Sequence, residues 1–287
     1  MLKEIIKQEL ISEEEYNLLL DAKPQTPELI PIAYSERAKV FKLVADENIE
    51  YRYINGSCED RAHFISLLLS ATGITAGKMW SFAPARYTFL SDELFNIADP
   101  YEINQDLTWG YHVAAYIHAY DKSGEVETLI IDQSFNPNGF LTLDEWLKMM
   151  DCPRAIQLTT DMHSYLFNSV FGYYGYTPVS YETHYNTPLD IPSVINGNFW
   201  YMYDGDEYVQ RGLSVSDLAI EIYNLLQFLP EEEAAYFENV LTSIDEVIRF
   251  TAMAKPDFIN QHTYDHFMSF YQKRYQHWTG RINELLG

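Results

Sequence analysis

Asn55-Gly56-Ser57-Cys58-Glu59-Asp60-Arg61-Ala62-His63 is followed by apolar residues at Ile65, Leu68 and Leu69, and then by Gly73. Together with Ala62, these positions have the three-and-four spacing of one buried helical face, and Gly73 stands where a helix would stop. The spacing predicts a helix with Cys58 in its first turn. The positive end of a helix favours an anion by roughly 0.3–1 kcal/mol, and the thiolate is the nucleophilic form of cysteine. An unperturbed thiol with a pKa of about 8.5 is mostly protonated at neutral pH, so it needs an imidazole partner. Glu59 and Asp60 oppose that activation, because negative charge beside a thiol disfavours its ionisation.

Two segments downstream supply the partner. Tyr111 to Tyr120 and Glu125 to Asp132 read as strands, joined by Asp121-Lys122-Ser123-Gly124, a turn composition that predicts an antiparallel hairpin. Side chains alternate along a strand, so His112 shares a face with Ala114, Tyr116 and His118. Across the hairpin His112 falls near Asp132. A cysteine at a helix start, a histidine on one strand and an aspartate closing the next are the parts of a cysteine hydrolase or acyltransferase. Singly, each residue has a plain structural role: a small core thiol, a satisfied strand histidine, a turn aspartate. Their joint placement favours catalysis.

Around this centre, helices are expected over Leu2 to Leu10 and Ser12 to Leu20, with a further helical stretch capped by Ser35 and carrying Ala38, Phe41, Leu43 and Val44. Tyr51 to Ile54 reads as extended and Gly77 to Phe82 as a strand. A polar, irregular stretch is expected from about Ser91 to Asp106. Thr142-Leu143-Asp144-Glu145 is a capping box that starts a helix to about Met150. After Pro153 the composition shifts: Tyr165 to Tyr208 is rich in aromatics and reads as loops and short strands, including a hairpin at Asp204-Gly205. Helices then follow over Ser214 to Leu229, Glu231 to Ala254 and Asp257 to Leu286, with Pro230 and Pro256 as first-turn residues. The organisation expected is α+β, with a catalytic unit over 1–155 built from an antiparallel sheet and a nucleophile-bearing helix. An aromatic-rich connection and a mainly helical domain occupy 156–287.

The chain has 287 residues, 47% hydrophobic and 21% charged, a globular balance. Its 42 acidic residues against 19 basic ones give a formal charge of −23, which weighs against nucleic acid or an anionic membrane as partner. A neutral or basic substrate fits better. Cys58 and Cys152 are the two cysteines, too few for a disulfide framework, so free thiols are expected. Met1 to Glu9 carries charges where a secretory signal needs an apolar run, and no apolar run approaches the roughly 18 residues of a membrane span. The expectation is a cytoplasmic protein, with export by a signal-independent route left open. His262 and His266 stand one helical turn apart, but without the glutamate of a His-Glu-x-x-His motif or a third ligand. No metal and no cofactor is called for.

Three of these segments resemble the signature segments of the bacterial protein glutaminases, the protein-glutamine deamidases: Cys58-Glu59-Asp60-Arg61-Ala62-His63, Trp109-Gly110-Tyr111-His112-Val113-Ala114 and Ile131-Asp132-Gln133-Ser134-Phe135. More broadly, the arrangement is similar to the transglutaminase-like, papain-related superfamily. The resemblance covers about residues 50 to 150. It implies a transglutaminase-like core in which Cys58 is the nucleophile, His112 the general base and acid, and Asp132 the orienting residue, with Trp109 and Tyr111 beside the substrate. It implies a protein or peptide substrate with an accessible glutamine, deamidated through a γ-glutamyl thioester. A transglutaminase or a thiol peptidase would use the same triad, and a non-catalytic interaction module would keep the same fold. The chain departs from the family pattern at Ser57, where a glycine is usual, at the acidic pair Glu59-Asp60, and at Gln133 in place of proline.

Overall fold

The computed structural model describes residues 27–86, 91–103, 107–162, 164–168, 198–202 and 206–287. The helices expected over Leu2 to Leu10 and Ser12 to Leu20, and the hairpin at Asp204-Gly205, lie outside those residues. The first helix among the described residues, α1 (Arg37–Ala45), follows a 3-10 turn over Tyr34–Glu36. Ser35 lies inside that turn and does not cap the helix. Instead Glu36 reaches back, its Oε2 accepting from the Ala33 N–H at 3.2 Å. Val40 and Val44 form the buried edge of α1.

Residues 51–54 do not pair as a strand. Tyr53 is buried and donates its hydroxyl to the Leu241 carbonyl at 3.0 Å, so this segment is held by the C-terminal helices and not by a sheet. It leads into α2 (Cys58–Ala71). Gly73 ends that helix with φ +81°, and the bonds Ile74 N–H to Leu69 O and Gly73 N–H to Ser70 O, both 2.9 Å, complete a Schellman stop. The sequence pattern predicts one buried face, yet every residue from Glu59 to Leu69 is buried. α2 is covered on all sides because it lies between the sheet and two later helices.

The sheet has the order β6-β5-β4-β1-β7 and every pair is antiparallel. Its strands are β1 (Gly77–Phe82), β4 (Tyr111–Tyr120), β5 (Val126–Ile131), β6 (Leu141–Thr142) and β7 (Ile156–Thr160). Between β1 and β4, the region expected to be irregular contains β2 (Phe95–Ile97), which pairs with β3 (Leu107–Trp109). The buried Phe95 and Ile97 anchor this ribbon; a three-residue strand is too short to register as a period. The β4–β5 hairpin forms as its turn composition requires. Asp121 Oδ1 accepts from Ser123 N–H at 2.7 Å and from Glu125 N–H at 2.9 Å, and Gly124 takes φ +91°. One sheet face places Ala115, Ile117, Leu129 and Ile131 against Phe64, Ile65 and Leu68 of α2. The other packs Ala114, Tyr116 and Ile130 with Met79 and Trp146.

α3 (Leu143–Met149) starts at the Thr142 capping box: Thr142 Oγ1 accepts from Glu145 N–H at 3.3 Å and Glu145 Oε2 from Thr142 N–H at 2.8 Å. β7 then returns to the central sheet beside β1, and β8 (Ser164–Asn168) pairs with β9 (Asn198–Met202). Four helices follow: α4 (Asp206–Leu225), α5 (Glu231–Val240), α6 (Ile244–Ala252) and α7 (Gln261–Leu286). They correct three sequence expectations. α4 begins at Asp206, with Ser214 in its interior, its hydroxyl bonded back to the Gln210 carbonyl. The helix expected over Glu231 to Ala254 is split, because Ser243 accepts from Glu246 N–H at 3.3 Å and caps a new helix. Pro230 is the N-cap of α5, and the last helix is capped by Asn260, with Pro256 outside it. Val209, Leu213, Trp278 and Ile282 join the core around α2, while Leu218, Phe237, Val247 and Phe267 form a second core of the helical unit. Among the described residues, no helix is long and apolar enough to cross a membrane.

Candidate active site

The chain approaches Cys58 through two residues of unusual backbone. Gly56 has φ +145° and Ser57 φ +57°. A side chain at Gly56 would put its Cβ 2.3 Å from Ile244 Cβ, so only glycine fits beneath the start of α6. Ser57 occupies the left-handed region, where a non-glycine residue costs roughly 1–2 kcal/mol. Its buried hydroxyl offsets part of that cost by donating to the Gly212 carbonyl at 3.0 Å. This turn sets Cys58 at the first position of α2, among N–H groups that have no partner within the helix.

His112 and Asp132 meet as the hairpin register requires. The pairing Ala115↔Ile131 places Asp132 one step beyond β5, level with Ala114, and Ala114 shares a face with His112. His112 Nε2 lies 2.7 Å from Asp132 Oδ2. The carboxylate also accepts from Trp146 Nε1–H at 2.8 Å on Oδ2 and from the Ser134 N–H at 3.1 Å on Oδ1. Burial works to raise the Asp132 pKa, but the attraction of His112 and the bonds from His112 and Trp146 outweigh it, and the carboxyl is held below its ordinary range. The imidazole lies between aromatic rings. Trp109 stacks on one side at 4.6 Å between centroids, Trp146 on another at 5.6 Å, and Phe135 meets it edge-on at 5.3 Å.

Cys58 and His112 both line a cleft of about 210 Å³, together with Glu59, Trp109, Tyr111 and, from the helical unit, Ser243, Ile244 and Asp245. Behind it a void of about 10 Å³ is lined by Cys58, His112 and Asp132 together. Cys58 Sγ donates to Glu59 Oε2 at 3.2 Å, and Glu59 Oε1 accepts from the Tyr111 hydroxyl. Burial first and the Glu59 charge second push the Cys58 thiol well above its usual pKa, with Arg61 opposing them. Asp245 across the cleft is also raised, by burial and then by the Glu59 charge.

The structure therefore brings Cys58, His112, Asp132, Trp109 and Tyr111 to one place. Trp109 both stacks on His112 and lines the cleft, so core packing and slot lining are not exclusive there. Sequence reading missed three participants. Trp146 carried no sign of its bond to Asp132, although it directly follows the capping box. Ile244 and Asp245 sit 186 residues beyond the thiol or more and are placed only by tertiary packing. Their one local signal was Ser243 with Glu246 three residues on, a capping pattern in an otherwise continuous helical stretch. His266 Nε2 lies 2.8 Å from Glu221 Oε1, and among the described residues no group of three or more metal-ligating side chains gathers.

Residues 37–150 match the model of a family described as Glutaminase. No curated protein matches the chain. Among solved structures, a protein-glutaminase is similar at 20% identity and a TM-score of 0.40, over 51% of this chain and 80% of that one. The A47Q2 mutant of pro-protein-glutaminase gives 18% and 0.44, over 72% of this chain and 67% of that one. The NMR structure of protein-glutaminase from Chryseobacterium proteolyticum gives 19% and 0.38, over 49% and 77%. The stretch from 37 to 150 that is similar to that family holds Cys58, His112 and Asp132.

Proposed function

We propose that this chain is a cysteine-dependent deamidase of glutamine side chains in proteins or peptides, built on a transglutaminase-like core with a helical domain over its cleft. The observation that carries the reading is the His112–Asp132 pair at 2.7 Å, lining one void with Cys58. Asp132 engages Nε2, so Nδ1 is the ring nitrogen left to take the thiol proton. The thiolate adds to the γ-carboxamide carbon, and the oxyanion is held by N–H groups at the start of α2, Cys58's own among them. Imidazolium returns the proton to the departing nitrogen, ammonia leaves, and a γ-glutamyl thioester remains on Cys58. Water, deprotonated by His112, then hydrolyses the thioester to glutamate and regenerates the thiol. Asp132, fixed by Trp146 and the Ser134 N–H, sets the tautomer and stabilises the imidazolium. Trp109 and Tyr111 frame the slot through which the glutamine side chain enters.

The test is ammonia release with mass analysis of a panel of glutamine-containing proteins, comparing wild type with Cys58→Ala. Wild type should convert glutamine to glutamate, adding the mass difference between amide and acid, and Cys58→Ala should lose this activity by at least about 10³-fold. A folded wild type that releases no more ammonia than Cys58→Ala on every substrate overturns the reading. Amine incorporation or a cut backbone in place of deamidation would assign the triad to acyl transfer or proteolysis instead.

A further inference from the structure

The residue beside the nucleophile is bound to it. Glu59 uses both carboxylate oxygens in the cleft: Oε2 accepts the Cys58 thiol at 3.2 Å, and Oε1 accepts the Tyr111 hydroxyl. Tyr111 is itself braced, its ring lying 5.9 Å from Trp80 and 6.2 Å from Phe82, so the carboxylate is held from the strand side as well as from the helix. Glu59 is 3% exposed, a depth at which a carboxylate retains polar partners. A hydrogen bond from sulfur to a carboxylate requires the proton on sulfur, since a thiolate and a carboxylate in contact repel.

We propose that Glu59, anchored by Tyr111, is a positioning residue that latches Cys58 as a protonated thiol in the resting enzyme, and that the latch must open before His112 can take the proton. This rests on Cys58 being the nucleophile of the deamidation proposed above. The groups facing the thiol are few. On α2 they are Glu59 and Arg61, with Asp60 one turn-face away. From β4 come Tyr111 and His112, from the end of β5 Asp132, and from α6 Asp245. Arg61 favours the thiolate, but its guanidinium is committed to the Tyr53 and Gly56 carbonyls at 3.4 and 2.8 Å. Glu59 is the carboxylate in direct contact with sulfur. A substrate carboxamide entering beside Tyr111 would compete for that hydroxyl and loosen the carboxylate, so that the thiol turns toward His112 when a substrate is present. Unlatched only then, the sulfur would be shielded from oxidants and alkylating agents in the empty enzyme.

The test is the pH dependence of alkylation of Cys58 by iodoacetamide in the full-length protein, with peptide mass mapping to separate Cys58 from Cys152. In wild type the rate should follow a single deprotonation above the ordinary cysteine pKa of about 8.5. Glu59→Gln keeps the shape, loses the charge and offers an amide N–H to sulfur. It should move the profile down by one unit or more and raise the neutral-pH rate about tenfold or more. A profile unchanged in a folded Glu59→Gln variant overturns the proposal. A wild-type thiol that ionises at or below the ordinary value overturns it even if the variant fails to fold. Ammonia release is not the readout, so a chain that alkylates as expected but deamidates nothing sinks the functional reading and leaves the latch standing.

Discussion

Asp132 concentrates more of the candidate site's hydrogen bonding than Cys58 does. It accepts from His112, Trp146 and the Ser134 backbone, so the imidazole's orientation depends on a tryptophan 34 residues away in β4-to-α3 order. Trp146→Phe keeps the stacking on His112 but removes one charged-acceptor bond, a loss of about 1.5–3 kcal/mol in positioning. We expect kcat to fall roughly 10–100-fold with KM little changed, measured as initial rates of ammonia release across pH. Loss of that donor also lets Asp132 rise toward its ordinary range, so the acid limb of the profile should move to higher pH. A KM effect with unchanged kcat would assign Trp146 to the substrate slot. The places of Cys58, His112 and Asp132 in the fold were legible in the sequence because each sits at a position with local meaning: a helix start, a strand, a strand end. Trp146 was not, because nothing local to α3 says which carboxylate its indole N–H will meet.

At the scale of elements, α2 shows how the sequence pattern underestimates burial. Ala62, Ile65, Leu68 and Leu69 spell one apolar stripe, but Asp60 and His63 on the other side are equally buried, because α4 and α7 close over them. Asp60 rests against Gly212 of α4. A Cβ there would lie 1.8 Å from Asp60 Oδ2, so the helix interior keeps a residue that costs about 1 kcal/mol relative to alanine. Burial first, and then Glu59, push the Asp60 pKa up to about 8, against the opposing influence of Arg61, Lys78 and the nearby Ser57 hydroxyl. The folded chain thus retains a proton that the unfolded chain, with a pKa of about 3.9, has given up. Stability should therefore fall as pH rises through the window between those two values, with a slope on the order of 1 kcal/mol per pH unit. Asp60→Asn cannot ionise and should flatten it. Thermal or urea unfolding of both proteins from pH 5 to 9 checks this: the variant's stability relative to wild type should grow by on the order of 1 kcal/mol per pH unit up to about pH 8 and level off above it. Parallel curves would place the proton elsewhere. The turn residues Asp121 to Gly124 and the Thr142 capping box were read correctly because turn and cap chemistry is local. β2 was too short, and the α5–α6 break depended on giving one serine more weight than the helical pattern around it.

The whole molecule carries a charge of −23, and Glu59 and Asp245 bring part of it to the cleft. Basic protein substrates should be drawn in by this field, and salt should screen the attraction over a Debye length of about 10 Å at 0.1 M. We expect kcat/KM on a lysine-rich substrate to fall several-fold between 20 and 300 mM salt, roughly as screening predicts, and to stay nearly constant on a short uncharged glutamine peptide. Equal responses would assign the charge to solubility alone. Composition made the sign of this field plain; where it is focused depends on folding. The turn at Thr242 to Ile244 rests on the loop that leads into Cys58. Asn55 donates to the Thr242 carbonyl and accepts from the Ile244 N–H at 3.2 Å, and Gly56 lies bare beneath Ile244. The family-matched stretch ends about ninety residues before that turn. The cleft is therefore assembled from two distant lengths of chain, and if the proposed chemistry holds, transplanting it into another scaffold requires the turn at 242–244 as well as Cys58, His112 and Asp132.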